Sequence, residues 1–279
     1  MPSNRLLLGA VAYDPKVVTI WEGFKVWFAE QGLDFDYVLY SNYERQVESH
    51  FAGHFDVAWN SPLAWIEAER LAKQRGREAT AIAMRDTDQD LTSLVVVKAD
   101  SPYQSLSDLE GKAIAVGASD SPQATLIPME HMAAAGLDPG KAEIRRFEVG
   151  VGLHGDHIGG ERDAAKALIA GEVEAACMID GNHLLFTSEG TLPSGQTRVL
   201  SQTGTYDHCN FTVLDGCEAP LERFTELLLG MSYDDPAVRH LLDLEGLKVW
   251  KPGRTSGYAL LEAAVDRFGA IDDWLAAQG

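Results

Sequence analysis

The 279-residue sequence has few cysteines, no long apolar run and no concentration of basic residues. Its three cysteines, Cys177, Cys209 and Cys217, are an odd number in a chain too large to need disulfides for stability. This count favours free thiols in a reducing compartment, although a Cys209–Cys217 bridge stays open if the chain is exported. The sequence is therefore unlike that of a small disulfide-stabilised domain.

The lack of a long apolar run and of clustered basic residues also disfavours membrane and nucleic-acid partners. No segment approaches the roughly 20 apolar residues that span a bilayer. The apolar run Leu6 to Ala12 is short even for a signal sequence and favours a buried first strand. Lys and Arg total 23 against 42 Asp and Glu, a net charge of −19, and such a surface repels phosphate backbones and anionic lipids. We expect a cytoplasmic protein, periplasmic only if a leader was removed.

Strand and helix patterns alternate along most of the chain. Apolar residues at Val17, Ile20, Trp21 and Phe24 recur at helical spacing and predict one buried helix face. A helix is predicted over 121–136, kinked at Pro128. Parallel strands joined by helices, twice over, predict an α/β protein with two doubly wound lobes.

Three segments resemble one known family. Residues 107–117, SDLEGKAIAVG, with the following SDS at 119–121, resemble the lobe crossing of type 2 periplasmic solute-binding proteins. Residues 56–64, DVAWNSPLA, resemble the third strand and next helix of the phosphate/phosphonate branch. Residues 164–176, AAKALIAGEVEAA, resemble a second-lobe helix that leads into a strand ending at Asp180. The resemblance covers residues 5 to about 270.

The resemblance implies a type 2 periplasmic-binding-protein fold with an interlobe cleft that closes on its ligand. The lobes would be residues 1–95 plus 203–279, and residues 96–202. It also implies ligand-binding residues at the ends of strands and the starts of helices. The matching positions are Tyr13, Asn60, Ser61, Ser119 and Ser121.

One position departs from the family pattern. The usual Ser/Thr-Ser-Gly is Ser119-Asp120-Ser121-Pro122 here, and the Asp120 carboxylate would oppose a phosphonate. The residues themselves favour ligand binding at this turn, because free N–H groups at a helix start attract an anion or a hydroxyl-rich ligand. The alternative is plain N-capping.

A second strand end carries Asp180 and Asn182. Because ligands bind at the carboxyl ends of strands in open α/β sheets, both side chains are predicted to face the ligand site. The alternative is a turn in which Asn182 caps a helix over 184–188.

Histidines near position 155 suggest a metal or substrate site. His154, Asp156 and His157 lie in a glycine-rich loop, where two imidazoles and a carboxylate can converge. The alternative is an exposed flexible loop. Residues 150–155 also match G-x-G-x-x-G, but the expected helix begins after Gly160, so dinucleotide binding is disfavoured.

Three further histidines are open to a functional or a structural role. His208 and Cys209 are adjacent, and neighbouring strand residues point to opposite faces, so they are not expected to form a pair by themselves; one of them would be directed toward the ligand. His50 and His54, four residues apart, are expected on a solvated helix face. Trp59 could fill the core or stack on a ligand.

Two classes of function follow. In the first, the protein binds a small polar, anionic solute between its lobes and, if exported, serves a transporter permease. In the second, it is a cytoplasmic lyase or hydrolase on the same scaffold, acting on a small heterocyclic or organosulfur acid. Cys209 would then be the nucleophile or a soft metal ligand. A histidine among 154, 157 and 208 would be the acid/base group or metal ligand, with Asp156 or Asp120 orienting it. The binding function requires no cofactor, whereas the enzyme could use a divalent metal.

Overall fold

The computed structural model describes residues 5–156 and 158–279. The chain divides into two compact units. Unit 1 comprises Met1–Gln89, Asp207–Gly257 and Asp273–Gly279, and unit 2 comprises Asp90–Tyr206 and Tyr258–Asp272. The segment Tyr258–Asp272, which the family resemblance places with the first lobe, lies in unit 2. Within the described residues, no helix combines the length and apolar character needed to cross a bilayer.

Strands and helices alternate along most of the chain, as expected. The strands are β1 (Arg5–Val11), β2 (Asp34–Tyr40), β3 (Val57–Asn60), β4 (Ala79–Arg85), β5 (Ser93–Lys98), β6 (Ala113–Val116), β7 (Glu143–Arg146), β8 (Ala175–Ile179), β9 (Thr197–Gln202), β10 (Asn210–Leu214) and β11 (Trp250–Pro252). The helices are α1 (Lys16–Glu30), α2 (Tyr43–Phe51), α3 (Pro62–Gln74), α4 (Ile127–Ala134), α5 (Gly159–Ala170), α6 (Asp180–Glu189), α7 (Leu221–Leu229), α8 (Pro236–Glu245), α9 (Ala259–Phe268) and α10 (Asp272–Ala277).

Unit 1 is built on a mixed sheet with the strand order β11-β4-β10-β3-β1-β2. β1 pairs in parallel with β2 and β3, while β10 lies antiparallel between β3 and β4. The predicted face of α1 is buried against this sheet, including Trp21 and Phe24. Trp59 is 4% exposed and its ring centroid lies 4.7 Å from that of Phe211. Trp59 therefore fills the core of unit 1.

Unit 2 has the strand order β7-β6-β8-β5-β9. β6 pairs in parallel with β7 and β8, whereas β5 is antiparallel to β8 and β9. Both faces of the sheet are covered. On one face, buried residues of α5 and α6 such as Leu168 and Phe186 form a core, and on the other face Met132 of α4 does so. Burial on both faces explains the apolar sequences of β5 and β8.

Each unit contains one topological switch point. β1 lies between β2 and β3, and β6 lies between β7 and β8, so the chain leaves each central strand toward opposite sides. In open α/β sheets, ligands bind outside the carboxyl ends of strands at such points. The expected sites are therefore the ends of β1 and β3 in unit 1, and of β6 and β8 in unit 2.

The helix predicted over 121–136 differs from the structure. Residues Pro122–Leu126 form a π-helical turn, in which the Leu126 N–H donates to the Ser121 carbonyl at 2.9 Å, and α4 begins only at Ile127. Pro128 is the second residue of α4 and has no N–H to donate, and the Ala124 carbonyl four residues before it accepts instead from the Gly117 N–H at 3.2 Å. The irregular turn ends two residues before Pro128, and the kink at that residue stays a prediction.

His50 also differs from expectation. It is 4% exposed on α2, its ring stacks on Phe55 at 4.7 Å, and its Nε2 lies 3.3 Å from the Asp56 carbonyl oxygen. His54 is exposed as expected. The burial of His50 disfavours the charged ring and lowers its pKa to about 4.

Acidification should therefore weaken unit 1 through His50. The pKa of His50 in the folded state lies below its unfolded value of 6.5. The free energy of unfolding therefore has its full value, as far as this group is concerned, above pH 6.5, and it decreases as the pH falls toward 4 because the unfolded state takes up the proton first. The loss from this group is about 3 kcal/mol in the free energy of unfolding. Urea unfolding at about pH 7 and about pH 4 measures it. His50→Gln should reduce the pH dependence, and His54→Gln should leave it as in the wild type; equal dependence in both variants would contradict this account.

Candidate functional site

The switch point of unit 1 carries Tyr13, Asn60 and Ser61. Tyr13 follows β1 and is half-buried, with the ammonium group of Lys16 lying 5.7 Å from its ring centroid. Asn60 is the last residue of β3, and Ser61 caps α3 by accepting a hydrogen bond from the Ala64 N–H at 3.1 Å. The sequence thus placed these residues at the ends of the two strands that define this edge.

Asn60 is fully buried and connects three elements. Its Nδ2 donates to Thr212 Oγ1 on β10 at 2.9 Å, and its Oδ1 accepts from Gln46 Nε2 on α2 at 2.8 Å. Thr212 in turn donates to Asn210 Oδ1 at 2.6 Å. This network fixes the end of β3, and removing any one member would leave buried polar atoms without partners.

The switch point of unit 2 carries the turn Ser119-Asp120-Ser121 after β6. Ser121 is buried, and its Oγ accepts a hydrogen bond from the Ala124 N–H at 3.2 Å, so it caps the π-helical turn. The backbone N–H of exposed Ser119 donates to Glu148 Oε2 at 2.9 Å. A carboxylate of the chain itself therefore lies at a backbone donor of this turn, and the turn accommodates anionic oxygen.

Asp120 faces the glycine-rich loop. Its Oδ2 accepts a hydrogen bond from the Gly152 N–H at 2.5 Å. Beside the turn lies a cavity of about 370 Å³ within unit 2. It is lined by Ser119, Asp120, Thr125, Leu126, Met129, Arg146, Phe268 and Ala270. A larger cavity of about 680 Å³ shares Arg146 with it but is lined by none of the predicted site residues. Arg146 places a cation in the cavity next to the turn.

Asp180 lies at the end of β8, on the same edge of the sheet. Its Oδ2 accepts from Thr92 Oγ1 at 2.9 Å, and its Oδ1 accepts from the Gly181 N–H at 2.7 Å. Asp180 is the first residue of α6, where a negative charge is favoured by the helix dipole. The alternative in which Asn182 caps a helix over 184–188 is wrong, because α6 begins two residues before Asn182.

The loop after β7 buries His154. This side chain is 0% exposed and its backbone has a φ of 49°, so the alternative of an exposed loop is wrong for this residue. The loop is held by Gln123, whose Nε2 donates to the Gly155 carbonyl at 2.7 Å. Asp156 is half-buried, and His157 lies outside the described residues. α5 begins at Gly159, outside the G-x-G-x-x-G segment at residues 150–155. A dinucleotide-binding motif would have its helix begin within that segment.

His208 and Cys209 lie together, against the prediction of opposite faces. His208 Nδ1 is 3.1 Å from Cys209 Sγ and 3.6 Å from Asp88 Oδ1. The alternation rule fails here because both residues precede β10, which begins at Asn210. Cys177, Cys209 and Cys217 are all free, so the Cys209–Cys217 bridge is not formed.

A buried ion-pair network surrounds these two residues. Arg85 holds Asp88 with two hydrogen bonds, Nε to Oδ2 at 2.6 Å and Nη2 to Oδ1 at 2.8 Å, and contacts Glu245 Oε1 at 3.3 Å. Burial by itself would raise the pKa of Asp88, but the charge and hydrogen bonds of Arg85 outweigh it and hold that pKa at about 2. Arg85 also stacks on the ring of Trp59, 5.1 Å from its centroid.

Sequence reasoning missed Arg85, Asp88 and Glu148. Arg85 is the last residue of β4 and Asp88 lies three residues after it, so the strand-end rule that selected Asn60 and Asp180 could have found them. Glu148 carries no local signal, because its partner lies 29 residues away.

Comparison with known proteins identifies the family. Residues 11–258 match the family described as the phosphonate periplasmic substrate-binding protein of ABC transporters. The chain belongs to this family. Solute binding on a type 2 periplasmic-binding-protein fold is thereby confirmed, and the comparisons lend no support to a cytoplasmic location, a lyase or a metal requirement. A search of curated proteins gives no match.

Several solved structures share the fold of this chain at low sequence identity. PhnD1 from Prochlorococcus marinus, in complex with methylphosphonate, is 15% identical, with a TM-score of 0.71 over 96% of this chain and 99% of its own. XAC2383 from Xanthomonas citri, bound to ATP, is 18% identical, with a TM-score of 0.69 over 97% and 99%. The aliphatic sulphonate-binding protein SsuA from Escherichia coli is 15% identical, with a TM-score of 0.62 over 97% and 93%. At these identities the likeness concerns the fold alone.

Proposed function

We propose that this protein is the periplasmic solute-binding component of an ABC importer and that its ligand is a small organic phosphonate or sulfonate. The candidate ligand-binding residues are Tyr13, Asn60 and Ser61 in unit 1, and Ser119–Ser121 and Asp180 in unit 2. The family match over residues 11–258 supports the transport role. The permease is the macromolecular partner in this proposal.

One observation carries the ligand class. Glu148 Oε2 accepts the Ser119 N–H at 2.9 Å, and both residues are exposed. An oxygen of a tetrahedral phosphonate or sulfonate head group can replace this carboxylate oxygen, since it accepts the same hydrogen bond from the turn after β6. Arg146 supplies a nearby positive charge. The Asp120 and Asp180 carboxylates disfavour a doubly charged head group, so they favour a singly charged sulfonate or a phosphonate that keeps one proton.

A second role as a thiol enzyme finds no geometric support. Cys209 is 2% exposed and its neighbours are the side chains of a buried ion-pair network. A nucleophilic thiol must reach its substrate, and this one is enclosed.

Removing Glu148 should strengthen binding. Glu148→Ala eliminates both the internal competitor for the Ser119 N–H and a repulsive charge, so we expect methylphosphonate and methanesulfonate to bind about 5-fold more tightly at low ionic strength. Isothermal titration calorimetry measures the affinity of each anion. Glu143→Ala, which removes an exposed glutamate of neighbouring β7, is the matched control and should leave the affinity unchanged.

Two results would oppose the proposal. Absence of saturable binding of either anion to the wild-type protein would remove the ligand class. Weaker binding by Glu148→Ala than by Glu143→Ala would show that Glu148 recruits the ligand instead of competing with it, and the Ser119 turn would no longer be the anion site.

A further inference from the structure

Three potential metal ligands converge inside unit 1, separate from the switch-point residues. They are Asp88, His208 and Cys209, and one ligand atom from each lies within 4.8 Å of the other two. Asp88 and Cys209 are 1% and 2% exposed, and the side chain of His208 is 12% exposed. A thiolate, an imidazole and a carboxylate are the three ligand types that Zn²⁺ accepts in proteins.

The distances between these atoms are close to those of a tetrahedral site. With ordinary zinc–ligand bonds, the edges of a tetrahedron are about 3.6 Å between sulfur and nitrogen and about 3.4 Å between nitrogen and oxygen. The corresponding separations here are 3.1 Å for Cys209 Sγ to His208 Nδ1 and 3.6 Å for His208 Nδ1 to Asp88 Oδ1. A small rotation of the His208 or Cys209 side chain closes the difference.

Neighbouring groups already orient the carboxylate ligand. Asp88 Oδ1 accepts from Arg85 Nη2 at 2.8 Å and from the Cys209 N–H at 3.2 Å. Metal-binding carboxylates are commonly held by such outer hydrogen bonds, which fix the ligand before the ion arrives. The backbone adds a further link, since the His208 N–H donates to the Asp88 carbonyl at 2.8 Å.

The charge of the network also fits a divalent ion. Arg85 contributes one positive charge, whereas Asp88 and Glu245 contribute two carboxylates, so this network carries one negative charge in excess. A divalent ion bound by one thiolate adds one positive charge and neutralises the set. Buried charges require such compensation, because desolvated ions without a counter-charge are costly.

We propose that Asp88, His208 and Cys209 form a three-ligand site for Zn²⁺ or a similar borderline divalent transition metal, with a water molecule as fourth ligand on the side of His208. Binding replaces the Cys209 S–H bond by an S–metal bond and releases one proton to solvent. The ion would link residue 88, which lies one residue before the chain leaves unit 1, to residues 208–209, which lie just after the chain re-enters it. The site is independent of the proposed solute binding.

Cobalt substitution tests the proposal directly. Protein stripped of metal is titrated with Co²⁺, whose tetrahedral thiolate complexes show visible d–d bands and a near-ultraviolet sulfur-to-cobalt charge-transfer band. The wild type should develop both bands at one equivalent, and Zn²⁺ should displace the cobalt. Cys209→Ser should abolish the charge-transfer band, and His208→Gln should weaken cobalt binding about 100-fold or more while retaining the thiolate.

Cys217→Ser is the matched control, since it removes the other cysteine of unit 1 and should leave the spectrum unchanged. Far-ultraviolet circular dichroism establishes that each variant is folded. A wild-type protein without the charge-transfer band would overturn the proposal, as would a band lost in Cys217→Ser and kept in Cys209→Ser. Either result would leave the titrations with methylphosphonate and methanesulfonate unaffected, so the two proposals fail separately.

Discussion

Replacing Phe211 with alanine should lower the free energy of unfolding of unit 1 by about 4 kcal/mol. Phe211 is 1% exposed on β10 and lies at the centre of an aromatic cluster. Its ring centroid is 4.7 Å from that of Trp59 and 5.3 Å from those of Phe224 and Trp250. The truncation loses the burial of the ring and leaves a cavity that the surrounding large, rigid rings cannot fill.

Tryptophan fluorescence measures this loss selectively. All six tryptophans lie in unit 1, so the fluorescence change during urea unfolding reports that unit alone. Leu229→Ala, at a position 37% exposed on α7, is the control and should cost less than about 1 kcal/mol. A Phe211→Ala variant no less stable than this control would show that the aromatic cluster is not the core of unit 1.

Replacing Arg85 with methionine should cost a similar amount, about 4 kcal/mol. The variant keeps the volume of the side chain but leaves Asp88 and Glu245 buried without their cation. The cost should depend on pH. Since the pKa of Asp88 in the folded wild type is about 2, below its usual 3.8, the stabilisation is complete above about pH 4 and is lost as the pH falls toward 2. In the variant, burial favours the protonated acid, so the difference between the two proteins should narrow on acidification.

Urea unfolding at several pH values gives both the size and the pH dependence of this effect. Arg45→Met is the control, because the side chain of Arg45 is 71% exposed in its pair with Glu48 and such surface pairs contribute less than about 1 kcal/mol. The account is wrong about this network if Arg85→Met costs no more than Arg45→Met, or if its cost grows as the pH falls.

The strand ends were the predictable part of the candidate site. Alternating strands and helices fix which residues follow a parallel strand, and these residues share one edge of a sheet whatever the details of packing. Asn60, Ser119–Ser121 and Asp180 were placed at such ends from the sequence, and the structure has them at the ends of β3, β6 and β8. Whether they bind the ligand remains a prediction.

Burial of His50 could have been predicted with the same rules. Tyr43, Gln46, Val47 and His50 are spaced as one face of a helix, and all four are buried. The histidine was assigned to a solvated face because its side chain is polar, although the spacing placed it on the face that packs against the sheet. The helical spacing of these residues predicts the burial of His50 better than the polarity of its side chain does.

Long-range pairing explains what the sequence could not show. β10 enters the sheet of unit 1 antiparallel between β3 and β4, and no local pattern chooses those partners. Arg85 meets Glu245 across 160 residues, and Glu148 meets Ser119 across 29. Such contacts depend on the assembled fold, so the ion-pair network and the hydrogen bond between Ser119 and Glu148 became visible only in the structure.

Hydrogen–deuterium exchange with and without saturating methylphosphonate is the most direct test of the central claim that the strand-end residues bind a small anion. The account predicts slower exchange in two regions together: residues 12–13 with 61–64 in unit 1, and residues 119–125 in unit 2. Protection located away from these strand-end regions would contradict it.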